Sequence, residues 1–323
     1  MRLSRRHLAA ALASSALLIS TSTWAQDKGP TRILVGLAAG GTNDLIAREL
    51  AERLRAITGD QYVVENKTGA TQRLALGEVK KSPPDGRTIL LATNSPFSIL
   101  PAVYGDKVGY DAVKDFTPLA RLVKFDVGVA IGPKVPGTTF ADYVAWCKAN
   151  PQQASFGTPG AGTSSHFMGL MIGKAIGVNL AHVPYRGGTP AQADLMGGHL
   201  PMLINGLADM MENHKGGKLR VVAVTSEKRA ALLPEAPTLK ELGIDIAADI
   251  AIDIYGPAGM PPDLVKKINA ALVQAITSPD ARAKLSTYGV NIAPSTPDEL
   301  AAAQLAEMKM WIEPVKASGY TGD

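Results

Sequence analysis

Short runs of β-branched and aliphatic residues alternate with stretches of helical period along almost the whole chain, and that alternation admits few folds. A strand followed by a helix before the next parallel strand builds βα units, in which helices cover both faces of a mainly parallel sheet. Residues 31–37 read as a strand, and 44–57 as a helix whose Leu45, Ile46, Leu50 and Leu54 recur at spacings near four. Residues 62–65 and 88–92 read as the next strands, with Pro83-Pro84-Asp85-Gly86 as the turn before the second.

A fresh series then begins with a strand-like run over 122–131. A helix near 140–149, a strand at 155–157 and a helix over 164–176 follow. Next come a strand at 180–185, a helix near 190–196, and strands at 201–205 and 220–225. Another strand-like run, 250–255, precedes two closing helices, 264–276 and 297–311. Two series with a returning piece predict a discontinuous first domain, 26–124 plus 249–323, with 125–248 inserted as the second. The two chain crossings would form a hinge, and ligands commonly sit at such an interface.

The N-terminus reads as an export signal. Arg2, Arg5 and Arg6 precede an uncharged apolar run over 8–19, and small polar residues lead to Thr23-Trp24-Ala25. The apolar run is shorter than the roughly 20 residues needed to span a bilayer, so cleavage is expected after Ala25. Ser4-Arg5-Arg6-His7-Leu8 resembles a twin-arginine signal, the alternative being the basic start of an ordinary secretory signal. Removing residues 1–25 takes three of the 33 basic residues and no acidic one, which leaves 30 against 29. A near-neutral chain with 5% aromatic residues and no Lys/Arg cluster lacks the footprint of a nucleic-acid binder. The single cysteine, Cys147, excludes an internal disulfide and reads as a buried thiol on a helix beside Trp146.

Two loops carry the functional signal. Ala38-Ala39-Gly40-Gly41-Thr42-Asn43-Asp44 lies between a strand and a helix, where glycines let the backbone approach a ligand and free N–H groups point outward as anion donors. The alternative is an ordinary βα turn, with Thr42 or Asn43 as N-cap and Asp44 complementing the helix dipole. Gly157-Thr158-Pro159-Gly160-Ala161-Gly162-Thr163-Ser164-Ser165-His166 repeats the arrangement in the second series. Two such nests suit a ligand with two acceptor ends.

Other chemistries lack their signatures. His166 reads as a helix-start residue, His182 as a hydrogen-bonded strand residue, and His199 and His214 as turn residues, with no metal-ligand spacing among them. There is no Gly-x-Ser-x-Gly elbow and no Ser-x-x-Lys. Gly169-Leu170-Met171-Ile172-Gly173-Lys174-Ala175 is one residue short of a P-loop, and neither glycine loop has dinucleotide spacing.

Taken together, Gly40-Gly41-Thr42-Asn43-Asp44 with Ala47-Arg48, Val64-Glu65-Asn66, Pro84-Asp85-Gly86-Arg87-Thr88 and the run from Asp111 to Pro118 resemble the Bug-type receptors of tripartite tricarboxylate transporters. So do Gly160-Ala161-Gly162-Thr163-Ser164-Ser165-His166, His182-Val183-Pro184-Tyr185-Arg186-Gly187-Gly188, Ala223-Val224-Thr225-Ser226, Pro237-Thr238 and Pro257-Ala258-Gly259. The matches are ordered and cover nearly the whole chain after residue 25.

The resemblance implies an α/β fold of the two-domain periplasmic binding protein type (type II-like), with hinge strands and a ligand cleft between the domains. It implies a monomeric periplasmic receptor that binds a small organic acid, hands it to membrane transporter subunits, uses no cofactor or metal and performs no catalysis. A periplasmic sensor without transport is the alternative, and a hydrolase a distant one. Carried over by residue, Ala39, Gly40, Gly41, Thr42 and Asp44 face one end of the ligand and Thr158, Ala161, Thr163 and Ser164 the other, with Asn94 and Asn205 as wall candidates. Asn205 stands where such receptors commonly carry an acid. Leu37 and Ala251 stand where they often carry aromatic rings, which implies a roomier aliphatic wall.

Overall fold

Period-two alternation sets the first core. In strand Thr31–Val35 (β1), Ile33 and Val35 enter one apolar cluster while Leu34 enters another on the opposite face. Helix Thr42–Thr58 (α1) covers the first face with Ile46, Leu50 and Leu54. Helix Arg73–Lys80 (α2) covers the second with Ala75, Leu76 and Val79. Each such Ile, Leu or Val side chain, fully buried, contributes about 1.5–3 kcal/mol. The computed structural model describes residues 29–322, so the expected signal segment, its cleavage after Ala25 and the paired arginines lie outside the described residues.

Strands Tyr62–Asn66 (β2) and Thr88–Thr93 (β3) flank β1 in parallel. Two short helices, Ser95–Ser98 (α3) and Leu100–Tyr104 (α4), follow. Strand Phe116–Phe125 (β4) completes the first run and leads across Asp126 into Val127–Ile131 (β5) of a second sheet. The strand-like stretch expected over 122–131 is thus two strands in two sheets.

The second sheet continues through helix Phe140–Ala149 (α5), strand Ser155–Thr158 (β6), helix Ser164–Ile176 (α6) and strand Ala181–Pro184 (β7). Helix Gly188–Met196 (α7), strand Met202–Gly206 (β8), helix Leu207–Lys215 (α8) and strand Arg220–Val224 (β9) complete it. The chain then returns to the first sheet with strand Ile250–Pro257 (β10). Helices Pro262–Thr277 (α9) and Pro279–Ser286 (α10), strand Asn291–Ile292 (β11) and helix Pro297–Ser318 (α11) end it.

The strand orders are β11-β4-β10-β3-β1-β2 and β7-β6-β8-β5-β9. The sheets are mixed: β10 pairs antiparallel with both β3 and β4, and β5 antiparallel with both β8 and β9.

The two crossings run side by side. Thr225 donates its N–H to Val127 O at 2.9 Å and its hydroxyl to Ala248 O at 2.7 Å, and Lys124 pairs with Asp249 at 3.1 Å. Helix α11 is a further bridge. Its Leu300 lies in the cluster with Leu34, while Trp311 and Val315 pack with Phe167 of α6 and Phe156 of β6. It runs seven residues past the expected end at Trp311, through Pro314, because that apolar face continues.

Candidate functional site

The first glycine loop is held from behind. β1 ends at Val35, and Leu37 O accepts from Asn66 Nδ2 at 3.0 Å. Gly40 adopts φ +82°, which favours glycine, and donates its N–H to Asp44 Oδ2 at 2.9 Å. Arg48 Nε donates to the same oxygen at 2.9 Å. Burial works to raise the Asp44 pKa, but the hydrogen bonds from Arg48 and the Gly40 N–H, with the Arg48 charge, outweigh it and hold the carboxyl below its usual range. Asp44 is therefore an ionised brace, 2% exposed, with Oδ1 enclosed and unpartnered.

Neither Thr42 nor Asn43 caps α1. The N-cap is Gly41, extended and without a side-chain bond. Leu45 is the first residue whose N–H reaches back along the helix, to Gly41 O at 3.0 Å. The N–H groups before it are the orphan donors of a helix start, beneath exposed Ala39, Gly40 and Gly41. A Cβ at Gly41 would meet only Ala38 O, at 3.5 Å, so the loop has space on that side. Leu37, 37% exposed, sits on the same loop.

Beside this loop lies a feature that sequence patterns did not signal. Ala70, Thr71 and Gln72 have φ of 45°, 54° and 70°, and among the described residues they are the non-glycine positions with positive φ. Left-handed backbone costs a residue with a Cβ roughly 1–2 kcal/mol, and only Gly69 hints at such a turn. Arg73 Nε ties the turn by donating to Ala70 O at 2.9 Å, and its guanidinium lies 4.1 Å from the centroid of the Tyr104 ring.

The second loop is held by two histidines. Thr158 is fully buried, and its hydroxyl donates to Gly160 O at 2.9 Å. With that proton used, the 2.7 Å contact to His182 Nε2 makes the imidazole the donor. His166 Nδ1 accepts from the Gly162 N–H at 3.2 Å, which places its proton on Nε2. Burial pushes both histidines down to about 4, with the other ring's charge adding to the shift at His182, so both are neutral at pH 7.

Thr163 caps α6, accepting from the His166 N–H at 3.3 Å and donating to Gly160 O at 2.9 Å. Ala161 is exposed, Thr163 half-buried and Ser164 buried. His166 and His182 have the structural places expected of them, whereas His214 lies within α8 rather than a turn and accepts the Val221 N–H at 3.2 Å.

The start of α7 adjoins this loop, since Gly187 donates to Pro159 O at 3.0 Å. Asn205, at the end of β8, lies against Gly188: a Cβ there would stand 2.6 Å from Asn205 Nδ2, an enclosed and unpartnered donor.

Asn94 and Ala251 lie together. Asn94 donates to Asp249 O at 3.2 Å and Glu307 Oε2 at 2.9 Å and accepts from the Ala251 N–H at 3.3 Å. These bonds use its amide within the chain. With Arg121, Lys124, Asp249 and Glu307, both residues line a recess of about 190 Å³ beside the crossings. The structure thus gathers Ala39, Gly40, Gly41, Thr42 and Asp44 at one loop, and Thr158, Ala161, Thr163 and Ser164 at another with Asn205 beside it.

Two mixed α/β sheets joined by paired crossings, each with a glycine loop that opens a helix at the end of a parallel strand, define a two-domain solute-binding protein. The chain belongs to the family described as tripartite tricarboxylate transporter family receptors, whose model matches residues 46–316. A UPF0065 protein in the gbd 5' region of Cupriavidus necator is 33% identical over 289 residues, covering 88% of this chain and 87% of that protein. The periplasmic binding protein BugD is 31% identical with a TM-score of 0.76, covering 90% of this chain and 98% of its own. Rpa4515 of R. palustris, solved with adipate, is 26% identical with a TM-score of 0.79, covering 91% and 98%.

Proposed function

We propose that this protein is a periplasmic receptor that captures a small organic carboxylate between its two glycine loops and delivers it to a tripartite tricarboxylate-type membrane transporter. The observation that carries the reading is the paired construction: Gly41 and Thr163 each open a helix at the end of a parallel strand, one in each sheet. Charge-assisted hydrogen bonds net about 1.5–3 kcal/mol each. Three or four supply much of the roughly 8 kcal/mol of a micromolar complex before ordering costs, so no arginine fork is required. Adipate in the R. palustris relative supports this ligand class.

In this reading residues 26–124 plus 249–323 form one domain and 125–248 the other, with Asp126 and the 225–249 segment as the hinge. Residues 1–25 direct export, the receptor acts as a monomer, and it leaves its ligand chemically unchanged. The contacts of α11 with both sheets restrain the closing motion.

Leu37 on the first loop offers an aliphatic wall, so flexible aliphatic acids bind better than flat benzoate-like or nicotinate-like ones. Thermal-shift screening of matched aliphatic and aromatic acids tests both points. Aromatic acids bound tenfold tighter, about 1.4 kcal/mol, would overturn the wall, and no shift with any acid would overturn the receptor.

A further inference from the structure

We propose that Gln72 is a specificity-determining residue of this site, whose carboxamide oxygen accepts a hydrogen bond from a hydroxyl or ammonium group of the bound acid. The inference rests on the receptor reading above and narrows its ligand to a hydroxy or amino acid.

Gln72 packs so closely on the first loop that a Cβ at Gly36 would stand 2.5 Å from the Gln72 Cβ. Its Nε2 donates to Thr93 Oγ1 at 2.8 Å. Gly36 directly follows β1, Thr93 ends β3, and the two strands are parallel neighbours, so Gln72 sits at the carboxyl edge where open α/β sheets take their ligands. Arg73, the next residue, lies over Tyr104. Gly322 also lies against the Tyr104 ring, and the same tail carries Tyr320, whose ring meets His166 of the second loop edge-on at 5.2 Å. That tail links the turn bearing Gln72 to the opposite half of the site.

Gln72 is 6% exposed and its Oε1 is enclosed without a hydrogen-bond partner. A side chain with one function, to fill space beside Gly36, has no use for such an oxygen, and glycine at φ +70° would be free of the left-handed strain. On the other flank of the same loop Asp44 Oδ1 is likewise an acceptor without a donor. Orphan helix N–H groups in the middle with unmatched acceptors on both flanks complement a carboxylate that carries a donor beside it. A site built to bind a hydroxyl discriminates strongly against the analogue that lacks it.

Titration calorimetry tests this on wild type, Gln72→Met and Gln72→Gly. The ligands are straight-chain dicarboxylic acids of four, five and six carbons, each plain, with a 2-hydroxyl and with a 2-amino group. Wild type is expected to bind at least one substituted acid ten times or more tighter than its plain parent. In Gln72→Met that ratio falls toward one while affinity for the parent changes less than threefold. Gln72→Gly, which suits the backbone, repeats the readout should the methionine variant fail to fold. A wild-type preference for plain acids, or an undiminished ratio in the folded variants, overturns the role of Gln72 and leaves the receptor standing. Absence of binding to every acid overturns both.

Discussion

The imidazole rings of His166 and His182 stack with centroids 3.8 Å apart and planes 18° apart, and each neutral ring holds part of the second glycine loop. Burial depresses both from about 6.5 to about 4, so the unfolded chain takes up these protons more readily than the folded one. Stability from this pair is therefore intact above pH 6.5 and is lost as pH falls toward 4. The loss is at most roughly 3–4 kcal/mol per ring. Melting temperatures should fall between pH 6.5 and 5, above the usual carboxylate range, and a His166→Gln/His182→Gln variant should show a flatter profile there. Parallel profiles would assign the acid sensitivity to other groups.

Thr71 has φ 54° and ψ 53°, is exposed and is β-branched. Thr71→Gly should stabilise the fold by about 1 kcal/mol, less the entropy that glycine adds to the unfolded chain. Melting should rise by about 2 °C. A fall would mean that the threonine makes contacts that outweigh its backbone strain.

Much of the fold was legible because it rests on local patterns. α5 and α6 begin at side-chain caps, where Thr139 with Asp142 closes a capping box and Thr163 accepts from His166. What escaped reading depends on distant partners. The turn at Ala70–Gln72 uses residues without left-handed preference and is held by Gly36 and Thr93. Asn94 was a wall candidate for the ligand, yet Asp249, Ala251 and Glu307 take up its amide. α11 runs on from Trp311 through Pro314 because Val315 packs in the cluster of Phe167, a residue distant in sequence.

Arg121 joins Asp253 by two bonds of 2.8 and 2.9 Å and Glu307 by a third of 2.8 Å, with Asp253 1% exposed. Arg121→Met leaves two carboxylates without their cation beside the crossings. It should destabilise by about 3–5 kcal/mol in urea unfolding. A loss under 1 kcal/mol would show that water or Lys124 replaces the guanidinium.

A ligand held by both domains favours the closed state by its differential affinity. Small-angle scattering should give a smaller radius of gyration with saturating acid. An unchanged radius with confirmed binding would mean that α11 locks the two sheets together.

Whether one carboxylate ligand spans both glycine loops is read out by calorimetry on wild type, Gly41→Val and Ala161→Asp. Gly41 has an ordinary extended conformation with space for a Cβ, and Ala161 is exposed, so each change alters the loop rim and spares the core. Both variants should melt within about 2 °C of wild type and bind the best acid from the screen at least thirtyfold more weakly, a loss of about 2 kcal/mol. Unchanged affinity in either variant would remove that loop from the site and contradict the account.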